Sequence, residues 1–368
     1  MILTENKPLA PFTTFGIGGP ARWFVEARSE DEIAQAAAWA EERGVRLFVL
    51  GGGSNLLISD AGFDGLVLRV GLLGIVASEA PDEAESSIDA GRVIYQAAAG
   101  EDWEHFVQRA IEDHCAGVEC LAGIPGTVGG TPVQNVGAYG QEVASAIERV
   151  RAFDLVERRF VEFNDAECGF GYRRSRFNSM DRERFIVTRV DFGLTLGGAP
   201  SLRYAELQRA ILEGGAKGVD LNVAEVAAAV RLLRRSKGML IVEGDPDCRS
   251  AGSFFKNPVM SGAEVRRIAE KSGLEPPCYL VEAGADKPVL FKVPAAWLIE
   301  QAGFNKGYAL GAAAVSSRHT LALVNRGDRD GKGGASAAEV RALANRIVAR
   351  VEDRFGIRLE TEPVMVGF

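Results

Sequence analysis

RLFVLGGGSNLLISDAGFDGLVLRV, residues 46 to 70, sets a β-forming run, a glycine turn and a second β-forming run in immediate succession. Arg46 to Leu50 reads as a strand, because branched and aromatic side chains suit a pleated surface. In a Rossmann-type fingerprint the glycine turn must open a helix, whose N-terminus receives a pyrophosphate. Here Gly62 and Gly65 stand among β-formers and the chain continues as strand, so the turn at 51–55 is not Rossmann-like. Upstream, Arg22 to Glu26 reads as another strand. Ser29 with Glu32 predicts a capping box for a helix with Ile33, Ala36, Ala37 and Ala40 on its apolar face, and Gly44 ends it.

Working outward, a second helix is predicted from about Trp103 to His114, burying Trp103, Phe106, Val107, Ala110 and Ile111. It leads into LAGIPGTVGGTPVQNVGAYGQ, residues 121 to 141, a glycine-rich stretch without a single charge. Short β-rich runs follow from Ile147 to Leu196. A compositional break (GGAPSLRYAEL, EGGAKGVDLN) puts a domain boundary near Gly214, after which Asn222 and Glu225 cap a helix running to about Lys237. Ser261 with Glu264, Pro294, and Ser336 with Glu339 start three more helices, the last with Val340, Leu343, Ile347, Val348, Val351 and Phe355 on one face. Residues 79–90 and 326–335 are polar enough to be exposed loops.

The whole chain has 368 residues, 47% hydrophobic and 25% charged, an ordinary globular composition. Acidic residues outnumber basic ones by 50 to 42 and no stripe of Lys and Arg interleaves with aromatics, which argues against a nucleic-acid partner. MILTENKPLAPF lacks the basic start and long apolar run of a targeting segment, and no stretch reads as a membrane helix. Five cysteines without a CxxC pair suit a reducing compartment, hence a cytoplasmic location, and no metal site is expected.

Glycine turns offer inward N–H groups and uncrowded Cα atoms, so two such turns suit a diphosphate ligand. The amides of Gln134 and Asn135 would hydrogen-bond a heteroaromatic ring or ribose without adding charge, or else brace the loop itself. His105 and His114 sit off the apolar face of their helix and read as surface groups.

PFTTFGIGGPA (11–21), LGGGSNLL (50–57), AGIPGTVGGTPVQNVGAYGQEV (122–143), CGFGYRRSRF (168–177), AGSFFKNP (251–258), AAWLIEQAGFNKG (295–307) and LETEPVMVG (359–367) resemble the UDP-N-acetylenolpyruvoylglucosamine reductases. That resemblance implies an α+β fold: a vanillyl-alcohol-oxidase-like FAD-binding domain in two lobes, 1–70 and 71–214, and a C-terminal α+β substrate domain, 215–356. The strand at 357–368 would return to the second lobe. It implies non-covalent FAD held by Gly51, Gly52, Gly53, Ser54, Asn55 and Leu56, and by Gly123, Ile124, Pro125, Gly126, Thr127, Gly129, Gly130, Gln134, Asn135, Gly137, Ala138 and Tyr139. NADPH is the implied co-substrate, a UDP-sugar the substrate, and a monomer the expected state.

The implied reaction reduces an enolpyruvyl ether to a lactyl ether. Hydride arriving at the terminal carbon pushes charge onto the conjugated carboxylate, which an arginine fork and a second donor would stabilise. Arg173 matches the family's arginine, Ser253 its proton donor and Glu362 its acid. Glu362 can donate only when protonated, a state that burial favours and Arg173 opposes. Glu360 lies close by and Pro363 departs from the usual pattern, so the choice between the two carboxylates rests on register with Gly367. Lys256 or a water would re-protonate Ser253. Tyr172, Tyr204, Lys237, Asn257 and Gln301 match substrate-binding positions, although Tyr204 would also serve as a helix-start core aromatic and Lys237 as a helix C-terminal cation. Residues 238–252 and 275–293 depart from the family pattern. A flavin oxidase would share the FAD loops without needing Ser253, and a non-catalytic nucleotide-binding regulator would show no flavin reduction.

Overall fold

The computed structural model describes residues 1–79, 91–214, 221–281, 289–327 and 333–368. The predicted loop at 79–90 apart from Glu79, which ends a strand, residues 215–220 of the compositional break, and parts of 275–293 and 326–335 lie outside the described residues. Two compact units emerge, one comprising Met1–Lys7, Ala21–Gly53 and Asp64–Ser236, the other Pro8–Pro20, Ser54–Phe63 and Lys237–Phe368.

In the first unit, strands Thr4–Pro8, Pro20–Ala27, Phe63–Val70 and Leu47–Leu50 form a sheet in that order, the last two parallel. Helix α1, Glu30–Glu42, buries Ile33, Ala36 and Ala40. Ser29 Oγ accepts the Glu32 N–H, while Glu32 reaches back to Arg28 N–H rather than to Ser29. A second sheet is antiparallel, in the order Arg159–Asn164, Ile147–Asp154, Phe185–Leu196, Arg92–Ala98, Ile75–Glu79. Helix α2, Trp103–Glu112, buries the five residues its period selects. Phe106 meets Phe192 of the second sheet at 4.5 Å between ring centroids. Helices α3 (Asp165–Cys168), α4 (Ala205–Glu213) and α5 (Val223–Ser236) complete this unit.

This division corrects the boundary near Gly214. Val223, Val226, Ala227 and Val230 of α5 are buried in the same core as Trp103 and Phe106, so α5 belongs with the first unit and the break falls at 236/237. The Asn222–Glu225 cap forms as expected, each residue's side chain accepting the other's N–H.

The second unit holds helices α6 (Gly262–Ser272), α7 (Ala295–Gln301) and α8 (Ala337–Phe355). Full capping boxes start α6 and α8. The predicted stripe of α8 packs with Phe254, Phe255, Leu298 and Ile299. The C-terminal strand, Val364–Val366, pairs in parallel with Leu56–Ile58. It therefore does not return to the lobe at 71–214, because Leu57 is buried in the core of the second unit and holds its neighbours there. Asp60, just beyond, accepts the N–H groups of Ala337 and Ala338 at 2.7 and 2.9 Å and so caps α8. The atypical stretch after Lys237 is tied down by Asp247, which is 2% exposed and accepts the N–H and hydroxyl of Ser317. Arg318 pairs with both Asp245 and Asp247. No described helix is long and apolar enough to cross a membrane.

Candidate active site

Both glycine turns of the first unit meet main chain to main chain. A Cβ at Gly52 would stand 2.5 Å from Gly126 Cα, and one at Gly51 would stand 3.0 Å from Thr127 Oγ1. Only glycine permits the first approach. Gly53, Gly123 and Gly126 have φ of +63°, +72° and +134°. Behind the second turn stands α2: Trp103 N–H donates to Gly126 O at 3.1 Å, and its indole N–H to Leu121 O at 3.1 Å. Thr127 Oγ1 is buried and finds no hydrogen-bond partner among the described residues. A hydroxyl so placed costs about 1–3 kcal/mol unless a ligand satisfies it. An orphaned hydroxyl beside two glycine turns that a Cβ would fill suits a diphosphate-bearing cofactor, as FAD requires.

The rest of the uncharged loop is braced from within the protein. Asn135, 1% exposed, donates to Glu142 Oε2 at 2.8 Å and Gly171 O at 3.1 Å, while its Oδ1 accepts Ala144 N–H at 3.1 Å. That is the loop-bracing role for this amide. Tyr139 has φ +48° and meets Tyr204 edge-on at 5.6 Å; burial pushes its phenol up to about 12. Arg173, at φ +53°, donates from Nη2 to Gly137 O at 2.9 Å, and its own carbonyl accepts from Asn178 at 3.1 Å. Its guanidinium lies 5.6 Å from the Tyr172 ring centroid. Tyr172 and Tyr204 are 41% and 43% exposed. Arg173 and Tyr139 are thus both fastened to the Gly137–Gly140 bend, with Tyr172 and Tyr204 beside them.

In the second unit, Gly252 (φ +71°) turns the chain into Ser253, which is half-buried. Beyond it two short extended segments pair: Glu362 N–H donates to Phe254 O at 2.9 Å and Lys256 N–H to Glu360 O at 3.0 Å. Ser253 and Glu362 are thereby brought into adjacent segments. Glu362 is half-buried, whereas the Glu360 side chain is 75% exposed and pairs with Lys256 at 3.3 Å. Lys256 therefore directs its ammonium to Glu360. Asn55 Nδ2 donates to Glu362 O at 3.3 Å, and Val364 N–H to Asn55 O at 3.0 Å, so the Ser54–Leu56 end of the first glycine loop shares its anchorage with Glu362. Asn257 Oδ1 accepts Ala295 N–H at 2.9 Å and caps α7, whose last residue is Gln301. Lys237 is half-buried directly after α5.

Three residues escaped the sequence reading. Glu104 and Arg231 form an ion pair at 2.5 Å, Glu104 also accepts Gly123 N–H, and Arg234 donates to Gly123 O at 2.9 Å. Helical period places Glu104 off the apolar face of α2, where a carboxylate reads as a solvated group, so no local signal marks it.

The family model described as the C-terminal domain of UDP-N-acetylenolpyruvoylglucosamine reductase matches residues 245–366, and an FAD binding domain model matches 21–159. The UDP-N-acetylenolpyruvoylglucosamine reductase of Thermobifida fusca is 44% identical over 99% of this chain and 98% of its own length. That of Streptomyces avermitilis is 44% identical over 99% and 94%. The crystal structure of the Thermus caldophilus reductase superposes with a TM-score of 0.61 at 25% identity, covering 99% of this chain and 98% of that one. The expected fold class, a vanillyl-alcohol-oxidase-like FAD-binding domain with a C-terminal α+β domain, agrees with these matches. Since the likeness runs through both glycine turns and the paired segments of Ser253 and Glu362 to the end of the chain, the protein belongs to the UDP-N-acetylenolpyruvoylglucosamine reductase family.

Proposed function

We infer that this chain catalyses the NADPH-dependent reduction of the enolpyruvyl ether of UDP-N-acetylglucosamine to UDP-N-acetylmuramate, a step of peptidoglycan precursor synthesis. The observation that carries the reading is membership of the reductase family over the whole chain, combined with a glycine cradle holding an unsatisfied buried hydroxyl. FAD, when bound, would supply the hydride-transfer chemistry between NADPH and the enol ether. Gly51–Gly53 and Gly126–Thr127 would hold its diphosphate.

The chain's own residues handle the charge and the proton. Arg173 offers its guanidinium to the substrate carboxylate as that group gains electron density, an interaction that strengthens toward the transition state. Ser253 gives its hydroxyl proton to the α-carbon, completing addition of one hydride and one proton across the double bond. Glu362 hydrogen-bonds the same developing charge; its half-burial, against the exposure and Lys256 pairing of Glu360, supports it as the acting carboxylate. Tyr172, Tyr204, Lys237, Asn257 and Gln301 would bind the nucleotide sugar. A cytoplasmic location fits five free thiols and the use of NADPH and a UDP-sugar, and a monomer remains the expected state.

The test is anaerobic. NADPH should bleach the visible flavin band of the purified protein, and the enolpyruvyl UDP-sugar should restore it. Ser253→Ala should keep the bleaching and slow the return by about 10²-fold or more. A protein that takes up no FAD, or whose band returns only with oxygen, sinks the reading.

A further inference from the structure

The Gly123 peptide is held at both ends by charged side chains from two different helices. Its N–H donates to Glu104 Oε2 of α2, and its carbonyl accepts from Arg234 Nε of α5 at 2.9 Å. The other oxygen of Glu104 pairs with Arg231 Nε at 2.5 Å, and Arg231 also donates to Gln108 Oε1 at 3.0 Å. The clasp closes a ring through α2, α5 and the loop. Arg234 is 7% exposed, deep enough that burial works against its charge.

Gly123 is where the loop first enters positive φ, three residues before Gly126, whose Cα lies against Gly52. A loop with so many glycines has large conformational freedom when untied, and freezing it on cofactor binding would weaken affinity. Neutral hydrogen bonds would hold it loosely; charge-assisted ones hold roughly twice as strongly. None of the three side chains need touch the cofactor for this to matter.

We propose that Glu104 is a positioning residue that pre-forms the FAD loop: paired with Arg231, it pins the Gly123 N–H so that the Gly126–Thr127 turn stands ready opposite Gly52. The proposal rests on the FAD-dependent reading above and concerns how tightly the cofactor is held, not the chemistry on the substrate.

The experiment measures FAD affinity of the apo-protein by flavin fluorescence quenching, with thermal unfolding of the apo-form alongside. Glu104→Leu should weaken FAD binding about tenfold or more, the loss of a charge-assisted hydrogen bond. Glu104→Gln keeps an acceptor for Gly123 and should recover part of it, and Arg231→Met should weaken binding by a smaller factor. Equal FAD affinity in wild type and Glu104→Leu overturns the proposal, as does a loss of affinity that Glu104→Gln does not relieve. Should Glu104→Leu fail to fold, Arg231→Met decides alone, unchanged affinity overturning the proposal. A wild-type protein that binds no FAD removes the parent reading and the proposal together, which separates the two failures.

Discussion

Two regions fasten functional groups with different shares of side-chain and main-chain bonding. In the first unit the Gly123–Gly140 loop is held by side chains: Glu104 and Arg234 on Gly123, Asn135 on Glu142 and Gly171, Arg173 on Gly137. In the second unit Ser253 and Glu362 ride on main chain paired with main chain, Glu362 N–H to Phe254 O and Lys256 N–H to Glu360 O. The loop's own ladder is short, Gly137–Ala138 with Gln141–Glu142, and its other backbone bonds are scattered ones such as Trp103 N–H to Gly126 O and Val128 N–H to Glu101 O, so neighbouring side chains add to its anchorage. Where only one or two side chains must be presented, a ladder suffices, and any residue that can be extended will do at the paired positions. Point substitutions should therefore propagate through the first region and stay local in the second.

The largest effect expected from this contrast lies in the second region. Glu362→Ala, which removes the donor that Gln would retain, should lower kcat by about 10²-fold or more, with FAD content and the unfolding midpoint unchanged, because the backbone pairing survives the change. Glu360→Gln, which breaks only an exposed pair with Lys256, should alter kcat by less than about twofold. Steady-state kinetics of the two variants sets them apart, and the reverse ranking would move the acid to Glu360.

Gly52→Ala tests the first region. Its methyl would stand 2.5 Å from Gly126 Cα, so the turns must separate, and we expect FAD affinity to fall about tenfold with about 1–3 kcal/mol of lost stability. At Gly130 the nearest atom to an added Cβ is 4.0 Å away and φ is not positive, so Gly130→Ala should cost under about 1 kcal/mol. Equal effects at the two sites, measured by FAD titration and thermal unfolding, would break the close-approach argument.

The smallest effect concerns the frame of the first unit. Glu30 accepts a bidentate pair from Arg151 at 2.8 and 2.9 Å and a hydroxyl bond from Thr188 at 2.7 Å. The Arg151 hydrogen bonds, above all, hold its carboxyl below the ordinary value of 4.5. A depressed folded-state value means stabilisation fully present above the unfolded value and lost as pH falls through the folded one. Wild type should thus lose stability below about pH 4.5, whereas Glu30→Gln should lie lower near neutrality by roughly 1–2 °C and show a flatter acid limb. Parallel acid limbs in melting curves from pH 7 to 3 would remove Glu30 from the account.

Much of this was legible from the chain alone. Periodicity marks the buried face of α2 and α8, capping pairs mark Ser261 and Ser336, and the β-formers after Gly53 exclude a Rossmann turn, because each is a local rule acting over a few residues. Motif likeness marked Ser253, Arg173 and the glycine turns. What no local rule reports is the company these residues keep. Only tertiary packing assigns α5 to the first unit, sends Val364–Val366 to Leu56–Ile58, engages Asn135 within its own loop and brings Glu104 and Arg234 to the same peptide. Such contacts join positions from about twenty to about three hundred residues apart, or fold a loop onto itself, and their partners are chosen by the shape of the packed core rather than by neighbours in sequence.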